Sequence, residues 1–160
     1  MMNSVIMPVH KIHPTAIVHP NAVIGKNVEI GAYAIVGDDV VIGDGCKLYP
    51  HAVIHEHTTV GKNCTFFPGC SIGAVPQDLK FAGEHSSTII GDGCIFRECT
   101  TVNRATGEGN KTIIGNNLLM MAYTHVAHNC IVGNNVIMSN VATLAGHVTV
   151  EDRAVIGGLA

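Results

Sequence analysis

Large apolar residues recur every six positions along this chain. From Ile12 the series runs Val18, Ile24, Ile30, Val36, Ile42, Leu48, Ile54, Val60, Phe66 and Ile72, then resumes at Ile90, Phe96, Val102, Ile114, Met120, Val126, Val132, Met138, Leu144, Val150 and Ile156. The exceptions on this grid are Asp78, Glu84 and Glu108. The next residue is often glycine (Gly25, Gly43, Gly61, Gly91, Gly115, Gly133), followed by turn formers such as Asp44-Gly45, Asn116-Asn117 and Asn134-Asn135. Four after the apolar residue comes a small one: Ala16, Ala34, Cys46, Cys64, Cys94, Cys130 or Ala142. Neither a helix nor a plain strand has this period. Two inward residues per hexad predict short strands joined by tight corners, three hexads to a turn, stacked as parallel strands about 4.8 Å apart. The expected architecture is an all-β triangular prism of roughly seven turns, about 35 Å long. Residues 1–11 form a lead-in, and 12–160 form the coil, with loops inserted at 78–89 and 108–113.

Composition agrees with a narrow aliphatic interior. The 160 residues are 47% hydrophobic but only 4% aromatic, with no tryptophan. Low charge (13%) and a mean hydropathy of +0.33 exclude intrinsic disorder. A net charge of −3 with nine scattered Lys and Arg argues against a nucleic-acid partner. Thr112–Val150 carries no Asp, Glu, Lys or Arg, but Gly115, Asn116, Asn129, Gly133 and Asn140 interrupt it, so no membrane insertion is expected. The absence of a charged leader and apolar stretch at the N-terminus, together with free thiols, points to a cytoplasmic protein. Cys46, Cys64, Cys70, Cys94 and Cys130 share the small inward phase and read as core fillers, not as metal ligands or disulfides.

The residue before each inward aliphatic points outward and separates by side: Ile17, Ile35 and Val53 on one, Val23, Val41 and Thr59 on the second, Glu29, Lys47 and Thr65 on the third. Two apolar sides and one polar side suit a closed ring of subunits.

Candidate chemistry sits where the repeat breaks or is decorated. The first break, Gly73–Glu84, carries Gln77, Asp78 and Lys80, an amide, a carboxylate and an ammonium able to bind a sugar or an anion. The second feature is His125-Val126-Ala127-His128-Asn129-Cys130. Gly146 lies one 18-residue turn beyond His128, and His147 one turn beyond Asn129, so each pair should stack. An imidazole beside a glycine N–H offers a general base next to an oxyanion donor. Three histidines could instead hold zinc, or all could be polar corner residues.

The hexapeptide pattern over residues 12–160 resembles the left-handed parallel β-helix. The segments IGAVPQDLKFAGE (72–84), NLLMMAYTHVAHNC (117–130) and ATLAGHV (142–148) resemble the acyl-[acyl-carrier-protein]–UDP-N-acetylglucosamine O-acyltransferases, which open lipid A synthesis in Gram-negative bacteria. The resemblance implies His128 as the general base for the sugar 3-hydroxyl and Gly146 as the oxyanion donor. It implies substrate contacts at Gln77, Asp78, Lys80, His125 and His147, and an acyl-chain neighbourhood at Leu79 and Met121. It further implies a homotrimer with sites between subunits, UDP-N-acetylglucosamine as acceptor, and acyl carrier protein as donor through its phosphopantetheine. No metal and no bound cofactor are expected. Two departures stand out. Asn129 follows the histidine where relatives often carry Asp. The chain stops at Ala160, where the family continues through further coils into a C-terminal helical domain, so the 160 residues alone are expected to be weakly active or inactive. The alternatives are a zinc hydratase of the same fold and a non-catalytic trimeric scaffold or sugar-nucleotide binder.

Overall fold

The computed structural model describes residues 11–160; the lead-in expected at 1–11 falls, but for Lys11, outside them. The chain forms 22 short parallel strands, β1 (Lys11–Ile12) to β22 (Val155–Ile156), with no helix among the described residues. They stack into three sheets: a first face of β1-β4-β7-β10-β13-β16-β19-β22, a second of β2-β5-β8-β11-β14-β17-β20, and a third of β3-β6-β9-β12-β15-β18-β21. Every third strand returns to the same face, as the hexad period predicts. The fold is a left-handed parallel β-helix.

The two inward positions of each hexad make the core. Ile30, Ile42, Leu48, Ile54, Ile72, Ile114, Met120 and Met138 are buried, with Ala34, Ala52, Cys46, Cys64, Cys94 and Cys130 between them. Burial pushes the Cys70 and Cys130 thiols up, which keeps them protonated and unreactive. Cys99, off the small phase, is exposed. The glycine column lets successive coils touch backbone to backbone: a Cβ on Gly115 would come within 2.7 Å of the Gly133 carbonyl carbon. Corner residues adopt left-handed backbone at regular intervals, among them Asn27, Asp39, His57, Asn63, Asn117, Asn129, Asn135 and His147, which explains the turn formers there. At the corner between the third and first faces, side-chain oxygens cap the backbone of the preceding coil. Asn116 N–H donates to Asn134 Oδ1 (2.9 Å), and Asn134 N–H donates to Asp152 Oδ1 (2.6 Å).

The outward columns of the early coils fall on the faces the spacing assigns. Ile17, Ile35 and Val53 align on the second face, Val23, Val41 and Thr59 on the third, and Glu29, Lys47 and Thr65 on the first. On the first face Glu29 bridges Lys11 and Lys47, each at 3.6 Å.

The insertions differ in position from the sequence expectation. Ser87–Ile90 and Lys111–Ile114 are strands β12 and β15, so the loops span 75–86 and 104–110 instead of 78–89 and 108–113. The first insertion makes Thr65 pair with Ile95, and the second makes Ile95 pair with Leu119, in place of the 18-residue step. Both insertions are whole multiples of the hexad. The apolar grid therefore passes through them undisturbed and conceals where strand resumes. Both leave the second face and return on the third, so they share one corner.

Candidate functional site

The corner between the second and third faces collects the chemistry. His55–His57, the loop at 75–86, the loop at 104–110, His128–Asn129 and Gly146–His147 lie along it on successive coils, because each connects a second-face strand to a third-face strand. The 18-residue stacking expected from the sequence holds. Strands β17 (His125–Val126) and β20 (Thr143–Leu144) pair in register, and His147 N–H donates to the His128 carbonyl at 3.0 Å. The His128 ring lies close against Gly146: a Cβ there would meet its Cε1 and Nε2 at 2.6 Å. Glycine is required here by close approach. The His147 ring meets the His128 ring edge-on, with centroids 5.2 Å apart.

The tautomer of His128 follows from its neighbour. Thr106 N–H donates to Asn129 Oδ1 at 2.8 Å, the Thr106 hydroxyl donates to the same oxygen at 2.9 Å, and Asn129 Nδ2 donates to the Thr106 carbonyl at 3.1 Å. A backbone N–H can only donate and a carbonyl can only accept, so the amide has one orientation. Its oxygen then faces His128 Nδ1 at 2.8 Å and can only accept. In the neutral ring the proton therefore sits on Nδ1, and Nε2 carries the lone pair. Asn129 itself is held by its N–H to Thr112 Oγ1 (2.9 Å), in left-handed backbone that asparagine tolerates (φ 59°).

Nε2 faces the first loop, with Asp78 Oδ2 3.8 Å away. That is too long for a hydrogen bond and leaves a gap into which a hydroxyl could donate. The loop is braced. Lys80 N–H donates to Asp78 Oδ1 (3.0 Å), and Phe81 N–H donates to the Asp78 carbonyl (3.0 Å). Glu84 accepts from Gly107 N–H (2.7 Å) and Ala82 N–H (2.8 Å). Those bonds, Gly107 first, hold its carboxyl below the ordinary range. Beneath the loop, Arg104 donates to Glu56 Oε1 at 2.6 Å and lies over the Phe81 ring. Gln77, Leu79 and Lys80 are exposed on the same loop. His125 projects from the second face with Nδ1 2.7 Å from Thr101 Oγ1; burial pushes its pKa down, so it is neutral at pH 7.

Asp78, His128, Gly146 and His147 thus meet at one point, with Gln77, Leu79 and Lys80 on the adjoining loop and His125 on the adjoining face. Met121 does not join them. It lies at the corner between the first and second faces, lining a cavity of about 220 Å³ with Arg97, Glu98, Leu119 and Asn140. His125, His128 and His147 do not converge as metal donors. Among the described residues, the three-donor cluster is Asp39, His57 and His85. The sequence reading missed Thr106, Glu84 and Arg104 as supports. The pattern places an insertion at 108–113, which leaves out Arg104 and Thr106, and nothing in it says that the segment folds back onto Asn129.

The Asn129 brace makes a prediction. Asn129→Gly keeps the left-handed backbone and removes the amide. Nitrogen-resolved NMR should then show His128 changing from a single Nδ1–H tautomer to a mixture. An unchanged tautomer would remove Asn129 from the mechanism.

A family model described as "Bacterial transferase hexapeptide (six repeats)" matches residues 21–56 and 39–74. A curated acyl-[acyl-carrier-protein]–UDP-N-acetylglucosamine O-acyltransferase of Stenotrophomonas maltophilia is 55% identical over 42 residues, 26% of this chain and 16% of its own length. Solved structures align over nearly all of this chain. The LpxA structure from Acinetobacter baumannii is 43% identical with a TM-score of 0.89, covering 92% of this chain and 57% of that one. The Arabidopsis UDP-N-acetylglucosamine acyltransferase is 37% identical with a TM-score of 0.78, covering 92% and 59%. The chain therefore spans little more than half the length of these solved relatives. No helix of the described residues is long and apolar enough to cross a membrane.

Proposed function

We infer the function from one premise: the chain belongs to the hexapeptide-repeat acyltransferases. Its reaction is transfer of a 3-hydroxyacyl chain from the phosphopantetheine thioester of acyl carrier protein to the 3-hydroxyl of UDP-N-acetylglucosamine, the first step of lipid A synthesis, in the cytoplasm. The observation that carries this reading is the His128 imidazole, with Nδ1 turned to Asn129 Oδ1 at 2.8 Å and Nε2 turned to Gly146 and Asp78.

In this scheme the sugar 3-hydroxyl donates to Nε2 in the gap before Asp78. His128 takes its proton as the oxygen attacks the thioester carbonyl carbon. The carbonyl oxygen becomes the oxyanion, and the Gly146 N–H faces it. The imidazolium now stands opposite the Asp78 carboxylate, which stabilises its charge. Collapse of the tetrahedral intermediate expels the pantetheine sulfur, and His128 returns the proton to it. Gln77 and Lys80 bind the sugar nucleotide, and His125 and His147 orient it. All atoms and charges balance between the side chains and the two substrates, so the scheme uses no metal and no bound cofactor.

A homotrimer completes the site in this reading. Leu79 and Met121, the two acyl-chain residues, sit on different corners of one chain, separated by the whole second face. A second copy laid against that face brings one chain's Met121 corner to the other's His128 corner. Exposed aliphatic columns support such packing: Ile17 and Ile35 on the second face, and Val23, Val41, Ile113 and Ile131 on the third. The test is direct. The 160 residues alone are expected to be weakly active at most, so turnover is read as trace 3-O-acylated sugar nucleotide by mass spectrometry after incubation with 3-hydroxyacyl carrier protein, and UDP-N-acetylglucosamine binding is measured beside it by calorimetry. A chain that neither forms the product nor binds the sugar nucleotide, or whose product survives His128→Ala, overturns the reading.

A further inference from the structure

On the same corner as His128, but two to four coils toward the N-terminus, Asp39, His57 and His85 bring one donor atom each to within 4.8 Å of one another. We propose that these three side chains bind one divalent transition-metal cation, of the zinc class, and that the bound ion tethers the loop carrying Asp78.

The donor set fits that chemistry. Two imidazoles and one carboxylate suit zinc and its neighbours far better than calcium or magnesium, which want oxygen. Tetrahedral zinc with bonds of about 2.0–2.2 Å needs donors about 3.3–3.5 Å apart, so the present spacing closes by side-chain rotation alone. His57 Nδ1 already lies 3.1 Å from Asp39 Oδ2, and the His57 and His85 rings are tilted against each other with centroids 4.5 Å apart.

The backbone sets this spacing in advance. Asp39 and His57 occupy the same left-handed corner position one turn apart (φ 51° and 58°), and His57 N–H donates to the Asp38 carbonyl at 3.2 Å. His85 ends the first insertion. Its N–H donates to Glu108 Oε2 at 3.0 Å, and its carbonyl accepts from Gly109 N–H at 2.8 Å. Three coils thus present one donor each from fixed backbone. The other charged groups around them are occupied: Asp38 with Asn21 and His19, Glu56 with Arg104, Glu108 with the His85 backbone. Asp39, His57 and His85 remain as the donors open to an ion, at partly exposed positions where one can enter. Because His85 closes the loop that begins after β11 (Ser71–Ala74), an ion here ties the far end of that loop to the coils beneath it.

The experiment is calorimetric titration of zinc into the chelator-stripped chain, paired with limited trypsin digestion at the exposed Lys80. The wild type should bind one zinc per chain, reversed by EDTA, and zinc should slow cleavage after Lys80. His57→Asn keeps the left-handed corner, and His85→Ala sits on a loop end; each should weaken binding at least about tenfold, since losing even an outer-shell partner costs that much. Circular dichroism confirms that both variants keep the β signal. His128→Ala should bind zinc like the wild type. Binding that survives in both His57→Asn and His85→Ala, loss of binding in His128→Ala, or no binding at all overturns the site. Cleavage after Lys80 indifferent to zinc overturns the tether.

Discussion

Replacing His128 with alanine should lower acyl-transfer turnover about 10²–10⁴-fold, the range a positioned general base supplies, while affinity for UDP-N-acetylglucosamine is largely kept. The other base beside the gap is the Asp78 carboxylate, and carboxylates are ordinarily weaker bases than imidazole. Asp78 Oδ2 lies 3.8 Å from Nε2, and the other oxygen of that carboxylate accepts from Lys80 N–H, so the group is committed to holding its loop. His147 meets His128 edge-on at 5.2 Å and His125 projects from a different face, so neither replaces it in position. Binding should survive because the imidazole is not what holds the loop. Gln77 and Lys80 sit on a segment braced by Glu84, Gly107 and Arg104, none of which touches His128. The measurement is kcat against KM for transfer, with binding checked separately by calorimetry. A variant that retains near-wild-type kcat would show that His128 is a polar corner residue. A variant that loses binding and turnover together would make it a binding group and leave the base unidentified.

How much of this was legible in the sequence depends on what each residue's position requires. The period of six is dictated by packing, so the faces, the inward cysteines and the alignment of Gly146 over His128 could be counted off. Counting gave way at the insertions. Because the insertions lengthen their coils by whole hexads, the apolar grid runs through them, and the strand residues Ser87–Ile89 and Lys111–Ile113 fall inside the expected loops. The same blindness hid Thr106. Its bonds to Asn129 depend on a fold-back that no hydrophobic pattern encodes. In the sequence Asn129 stands out only as a departure from the Asp that relatives often carry. An amide adds no charge, but its oxygen selects the Nδ1–H tautomer, and that choice is visible only once Thr106 fixes which way the amide points. The Asp39, His57 and His85 cluster was equally hidden, since His85 reaches the corner only through the insertion.

Phe96→Ala should be the most destabilising single substitution in the core, costing about 3–5 kcal/mol. Phe66 and Phe96 are fully buried and stack face to face, with centroids 5.0 Å apart and rings 4° from parallel. They fill the same position on β10 (Thr65–Phe66) and β13 (Ile95–Phe96), the two coils that the first insertion joins. Elsewhere on this face the same position holds isoleucine, leucine or methionine, among them Ile30, Leu48, Met120 and Met138. The aromatic pair therefore binds two coils whose connection is longest, where the chain itself does least to keep them in register. Each coil touches only its neighbours, so a cavity here weakens the one interface on which the two halves of the prism meet. Urea unfolding followed by circular dichroism should show a lowered midpoint, and the transition should broaden as the halves uncouple. Leu79→Ala is the matched control: that side chain is fully exposed, and its loss should change stability by no more than about 0.5 kcal/mol. A Phe96→Ala cost below about 1 kcal/mol would mean that the triangular interior closes over the gap, and that the insertion loops, not the aromatic stack, hold the two halves together.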